Sequence, residues 1–161
     1  MSRSFILLAV LALQGCAGTA GSSAGLPMES IYASAQCGSI NRPGLVWIAA
    51  AAAWQQQYAQ VMSLRMTPPP PPAVDFAEEG VLLIAMGQQS SGGYGLGLTG
   101  ATATVENGVL TVPVAWREPL PGYAQTQVMT YPCLLVKLPK AAFSQIRIVD
   151  QEGRTRLEGR R

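Results

Sequence analysis

Histidine is absent from this chain of 161 residues. Without an imidazole there is no His-based triad, no His-ligated zinc and no His proton shuttle, which excludes much of hydrolytic chemistry. Charge is scarce as well: 12% of residues are charged against 48% hydrophobic, and the formal net charge is +2. That balance excludes a disordered acidic or basic tail and leaves no electrostatic footprint for nucleic acid. Three cysteines are too few for a Cys₄ metal site. The apolar runs Phe5–Leu13 and Ala49–Ala53 both fall short of the roughly 20 residues a spanning helix needs. The length fits one domain, or one domain and a tail.

What is present begins with export. Arg3 precedes the apolar run Phe5–Leu13, and Leu13-Gln14-Gly15-Cys16 closes it in the manner of a bacterial lipobox. Residues 1–15 read as a lipoprotein signal peptide and Cys16 as the lipidated residue; the alternative is an ordinary signal cut elsewhere. Several acyl chains on one cysteine anchor stably where a single chain is marginal. Residue 17 is Ala rather than Asp, which favours the outer membrane of a bacterial envelope, facing the periplasm or the surface. Residues 16–26, rich in Gly, Ser, Ala and Thr, read as a flexible tether.

Export leaves Cys37 and Cys133 as an even pair in an oxidising compartment, so they are expected to form a disulfide rather than remain buried thiols. The bridge would close a loop of about 97 residues, worth roughly 4–5 kcal/mol in the chain-entropy model.

The rest reads as a single domain over residues 27–150. Trp47, Ala51, Trp54, Tyr58 and Val61 recur at helical intervals, which predicts a helix over about 46–65 with one face packed in a core. Pro68–Pro72 ends it and reads as a stiff connector, with a PxxP recognition ligand as the alternative. From Val74 the pattern turns to strands. Val81–Met86 is apolar throughout, as in a strand buried on both faces. Residues 102–106 alternate, and Asn107-Gly108 then marks a two-residue hairpin into Val109–Arg117. Pro113 places that strand at an edge or on a bulge. Thr126–Leu138 and Gln145–Asp150 give the last strands, and residues 151–161 read as a basic, fraying tail. The expected class is α+β: a mainly antiparallel sheet or open sandwich with one principal N-terminal helix packed on it.

Motifs for chemistry are weak. Gly95-Leu-Gly97-Leu-Thr-Gly100 fits a dinucleotide fingerprint in letters, but the residues after it alternate as a strand where a helix is needed. Glu78 and Glu79 are adjacent and point apart, Asp75 is isolated, and no Ser-x-x-Lys or Asp-rich calcium loop is present. No catalytic residue, metal or cofactor is expected, and no enzyme.

Val-Asp75-Phe76, the apolar strand ending in Gly87, Gly92-Gly93-Tyr94, the Asn-Gly hairpin, Pro119–Gly122, Thr130-Tyr131-Pro132 and Val136–Lys140 together resemble the PrcB C-terminal domain family. The resemblance runs from Val74 to about Asp150, nearly half of the chain. It implies an exported, lipid-anchored accessory subunit that binds and stabilises a secreted protease complex and has no catalytic centre of its own. The pentaproline and the Cys37–Cys133 pair are outside what the resemblance covers. Positions such as Asp75, Gly93, Tyr94 and Pro132 also suit purely structural roles.

The expected partner-binding surface is Gly92, Gly93, Tyr94, Arg117, Pro119, Pro121 and Tyr123: loop residues beside strand ends, with Tyr and Arg available as anchors. Two other readings stand beside protein binding. One is a small-molecule or glycan-binding lipoprotein, or an enzyme, with a deep pocket near Ser90–Tyr94 and Tyr123. The other is a passive structural lipoprotein.

Overall fold

A computed structural model describes residues 25–161. The expected signal peptide, the expected lipidation residue Cys16 and most of the expected tether lie outside the described residues. In chain order the strands are β1 (Leu26–Pro27), β2 (Glu29–Ser34), β3 (Pro43–Ile48), β4 (Glu79–Met86), β5 (Gly95–Leu98) and β6 (Thr102–Glu106). They continue as β7 (Val109–Arg117), β8 (Cys133–Pro139), β9 (Gln145–Val149) and β10 (Thr155–Arg160), and helix α1 is Ala51–Val61.

Two sheets result. One is antiparallel in the order β2-β8-β4-β3; the other runs β1-β6-β7-β9-β10, with β5 also paired to β7. The β7–β9 pair is parallel, because β8 crosses to the other sheet between them. Strand β4 shows why the two layers stick. Leu82, Ile84 and Met86 face the second sheet, where they meet Leu110, Val112, Val114, Ile146 and Ile148. Val81, Leu83 and Ala85 face the other way, into a second core with Leu135, Trp54, Tyr58 and Val61. An uninterrupted apolar run is what a strand with both faces covered requires.

The fold class is therefore all-β, a correction to the expected α+β. Among the described residues a single helix, of 11 residues, lies on the outer face of a sandwich that holds nearly all their regular structure. The predicted helix over 46–65 is shorter because its first residues pair instead: Val46, Trp47 and Ile48 lie opposite Leu83, Leu82 and Val81 of β4. Trp47 thus packs on the core between the sheets, and Trp54 on the core under the helix. Two aromatics at helical spacing serve opposite faces of one sheet. Trp54 Nε1 donates to the Pro72 carbonyl at 3.1 Å, which ties the proline connector back onto the helix.

The hairpin at Asn107-Gly108 is as the sequence indicates. Both residues have positive φ, 51° and 76°, and Val105 and Glu106 pair with Leu110 and Val109. Strand β7 has neighbours on both sides despite Pro113. Its pairing with β6 ends at Thr111 and that with β5 begins at Val114, so the missing N–H falls in the gap between them. The strand expected over 126–138 is confined to Cys133–Pro139, and residues 118–132 form a long connection. Cys37 and Cys133 are disulfide-bonded, with Cα atoms 5.8 Å apart, and this links the loop after β2 to the start of β8.

Strand β10 replaces the expected fraying tail. Leu157 packs on the core, Glu158 lies opposite Arg147, and their side chains pair at 2.8 Å. The β9–β10 turn is organised by Asp150, whose side chain is buried. Its Oδ1 accepts the N–H groups of Glu152 and Arg154 at 3.0 and 2.8 Å, and Oδ2 accepts Arg154 Nε and Arg156 Nε at 2.9 and 2.8 Å. Burial alone would raise this carboxyl, but these donors outweigh it and hold it at about 2. An unfolded Asp takes its proton near pH 4. Between these values the unfolded chain binds more protons than the folded one, so stability present above about pH 4 is lost as pH falls towards 2. Urea midpoints measured from pH 6 to pH 2 should fall in that window for the native chain, and more shallowly for Asp150→Asn.

Gly80 is a packing requirement. A methyl group there would sit 2.3 Å from the Trp47 indole. Trp47 is held on its other side by Phe143, edge-on at 5.2 Å, and by the Arg161 guanidinium. Gly80→Ala should therefore cost about 1–3 kcal/mol in a urea unfolding experiment, the usual range for overpacking.

Candidate binding surface

Six of the seven residues expected to form a partner surface lie on two neighbouring loops, and the seventh, Arg117, ends β7. The β4–β5 connection carries Gly92, Gly93 and Tyr94; the β7–β8 connection begins after Arg117 and carries Pro119, Pro121 and Tyr123. Main-chain and side-chain bonds dock one on the other. Gly92 N–H donates to Thr126 O at 2.8 Å, Gln89 and Thr130 exchange two backbone bonds, and Thr130 Oγ1 donates to Ser91 O at 3.0 Å. Gly93 has φ +88°, and a Cβ there would meet Gln125 Oε1 at 2.5 Å and Pro119 Cγ at 3.2 Å. The positive φ favours glycine there, and any side chain would also have to displace the end of Gln125.

The set divides into two parts. Tyr94 and Arg117 line a cleft of about 250 Å³ together with Ala33, Ser34, Ala35, Gly95 and Leu96. Pro121 and Tyr123 do not enter it. They stand at the tip of the long connection, where Leu120 and Tyr123 are 66% and 71% exposed and Val128 and Met129 are also exposed. Gly93 and Pro119 join the two parts. Ala33–Ala35 were not expected, since a small, unpatterned stretch near a cysteine reads as a turn.

The other candidates resolve into structural roles. The Gly95–Gly100 motif runs along β5 and into the bend before β6, so no helix N-terminus faces a ligand there. Asp75 closes a turn, accepting Ala77 N–H at 3.0 Å, and Glu79 pairs with Lys137 at 3.5 Å. Among the described residues no group of three His, Cys, Asp or Glu is placed to hold a metal ion. Among them, too, no helix is long and apolar enough to cross a membrane.

These features define a β-sandwich with two docked loops, between β4 and β5 and between β7 and β8, and a cleft beside them lined by Tyr94 and Arg117. Residues 81–139 match the family model described as PrcB C-terminal, the family that the motifs resemble. The matched stretch runs from β4 to the end of β8, so it supplies both inner strands of the first sheet, β4 and β8, and β5, β6 and β7 of the second. It contains Gly92–Tyr94, Arg117 and Pro119–Tyr123, and excludes α1, the pentaproline, Cys37 and β10. Neither the curated proteins nor the solved structures give a match.

Proposed function

We propose that this chain is a non-catalytic, protein-binding accessory protein of the bacterial envelope, anchored by lipid at Cys16, and that it stabilises a secreted protease complex. The observation that carries the proposal is the PrcB C-terminal match, which spans both connections of the candidate surface. The architecture agrees with it. Rigid strands hold Tyr94 and Arg117 at a cleft, and a long connection displays Leu120 and Tyr123 to solvent. Aromatic and Arg side chains in such positions are the usual anchors of a protein interface. The cleft is smaller than the roughly 300–1,000 Å³ of small-molecule sites, and Tyr123 does not line it. A carrier or enzyme therefore has less support than a binder.

The export steps belong to the same proposal: cleavage before Cys16, lipidation, and an outer-membrane address set by the residue after it. Deleting the gene in its own host tests the function. Loss of one secreted or envelope protease, in amount or activity, with recovery when the chain is restored, is the expected result. Unchanged levels of every protease would contradict the stabilising role.

A further inference from the structure

We propose that the proline run Pro68–Pro72, with the residues just before it, is a docking ligand for a partner domain that carries an aromatic-lined groove with a carboxylate at one end. The run lies outside the stretch that matches the family model, and the proposal does not rest on the accessory function above.

Conformation is the first ground. Proline fixes φ at about −65° and donates no N–H. Residues 68–75 contain no turn or bend, and no described peptide bond is cis. Five prolines in that state form a polyproline II rod of about three residues per turn, so Pro68 and Pro71 share one edge. The rod is fixed at both ends. At one, the Arg65 N–H donates to the Met62 carbonyl at 2.9 Å, just past the end of α1. At the other, Trp54 Nε1 holds the Pro72 carbonyl. A partner meets a ligand already in its bound shape, so docking loses little ordering entropy.

The second ground is what the rod shows to solvent. Pro68, Pro69 and Pro70 are exposed, and Pro71 and Pro72 are half-buried. Leu64 is 58% exposed and Met66 fully exposed, so the prolines continue an apolar strip that begins before them. Spanning the gap from α1 to β4 does not require apolar side chains in water. Among the described residues no donor reaches the carbonyls of Pro68–Pro71. Trp and Tyr side chains supply both needs, a flat apolar wall for the proline rings and an N–H or O–H for the carbonyls. The other exposed apolar strip, at Leu120 and Tyr123, belongs to the surface already described.

Charge gives the rod a direction. Arg65 is the one charged residue between Val61 and Val74, and it stands three positions before Pro68. Its guanidinium lies over the Tyr32 ring, 5.9 Å from the centroid, and donates to the Tyr32 hydroxyl. The complement of a cation held at one end of a rod is a carboxylate at that end of the groove.

The test is photocrosslinking from Met66→p-benzoylphenylalanine in the full-length chain, expressed in its own host. The expected product is one protein, joined through a segment that contains Trp or Tyr. In a detergent extract, a synthetic peptide of residues 64–73 should compete that product away. The same peptide carrying Pro68→Ala and Pro71→Ala, or Arg65→Gln, should be needed at about tenfold higher concentration. These arms leave the protein unaltered, so misfolding does not enter them. Pro68→Ala with Pro71→Ala in the chain itself should cut the yield by a similar factor. A plain connector would give no product that the native peptide removes. No product, a product that the peptide does not compete away, equal competition by the altered peptides, or an unchanged yield from the double variant would each overturn the docking site. None of these touches the accessory function, which fails separately, on the deletion phenotype.

Discussion

Replacing both Cys37 and Cys133 by Ser is expected to lower the unfolding free energy by about 4–5 kcal/mol, the chain-entropy value for a loop of this size. The bridge spans a sequence separation of 96, so the unfolded chain gains a large ensemble when it is cut. For a domain with ordinary stability of roughly 5–15 kcal/mol, that is about a quarter of the total or more. Both cysteines are fully buried in the core under α1, alongside Ile48, Val61 and Leu135. A reductant should therefore act only when that region opens, and reduction of the native protein should be slow. Urea unfolding of oxidised, reduced and double-Ser protein provides the measurement. Equal midpoints for all three would mean that the bridge constrains nothing.

Trp54→Ala should cost about 3–5 kcal/mol, as large aromatic truncations in a core do. Trp54 is the bulkiest side chain that the helix inserts against the first sheet, and it leans on Tyr58 with ring centroids 5.1 Å apart. The variant also loses the hydrogen bond to Pro72, so the proline connector should become more accessible to proteases than in the native chain. The two effects can be read separately, by urea midpoint and by limited proteolysis. A change below about 1 kcal/mol, the scale of surface substitutions, would show that α1 does not cover a core.

Some of this molecule was legible because one local cause decides it. Asn107-Gly108 tolerates the positive φ of a tight turn whatever surrounds it, so the hairpin could be placed from two letters. Val81–Met86 lacks any polar residue, so both its faces had to be covered. Other elements depend on partners far away in the chain. Trp47 fits a helical stripe, yet its pairing with Leu82 and its packing on Phe143 make it part of a strand. Local spacing cannot register either contact. Residues 151–161 look like a solvated basic tail because edge strands carry charge on their open side. Arg154 pairs with Asp150 and Glu152, Arg156 with Asp150 and Glu118, and Glu158 with Arg147, contacts that form when the β9–β10 hairpin folds beside β7.

The candidate site shows the same division. Gly92-Gly93-Tyr94 and Pro119–Tyr123 could be singled out as loop residues with anchors among them. That Tyr94 and Arg117 share a cleft follows from the β5–β7 register, in which Gly95 lies opposite Arg117. The opposing wall, Ala33–Ala35, has no side chain that advertises a role. It lines the cleft because β2 lies beside β5 in the folded chain, a neighbourhood no local pattern records.

The central claim, a protein-binding accessory role in the envelope, is tested most directly by mild crosslinking in the host, purification of the tagged full-length chain, and mass spectrometry of what accompanies it. The account predicts a secreted or envelope protease, crosslinked through residues of the Gly92–Tyr123 region. Recovery of only the chain itself and abundant envelope proteins, equally in native and denatured controls, would contradict it.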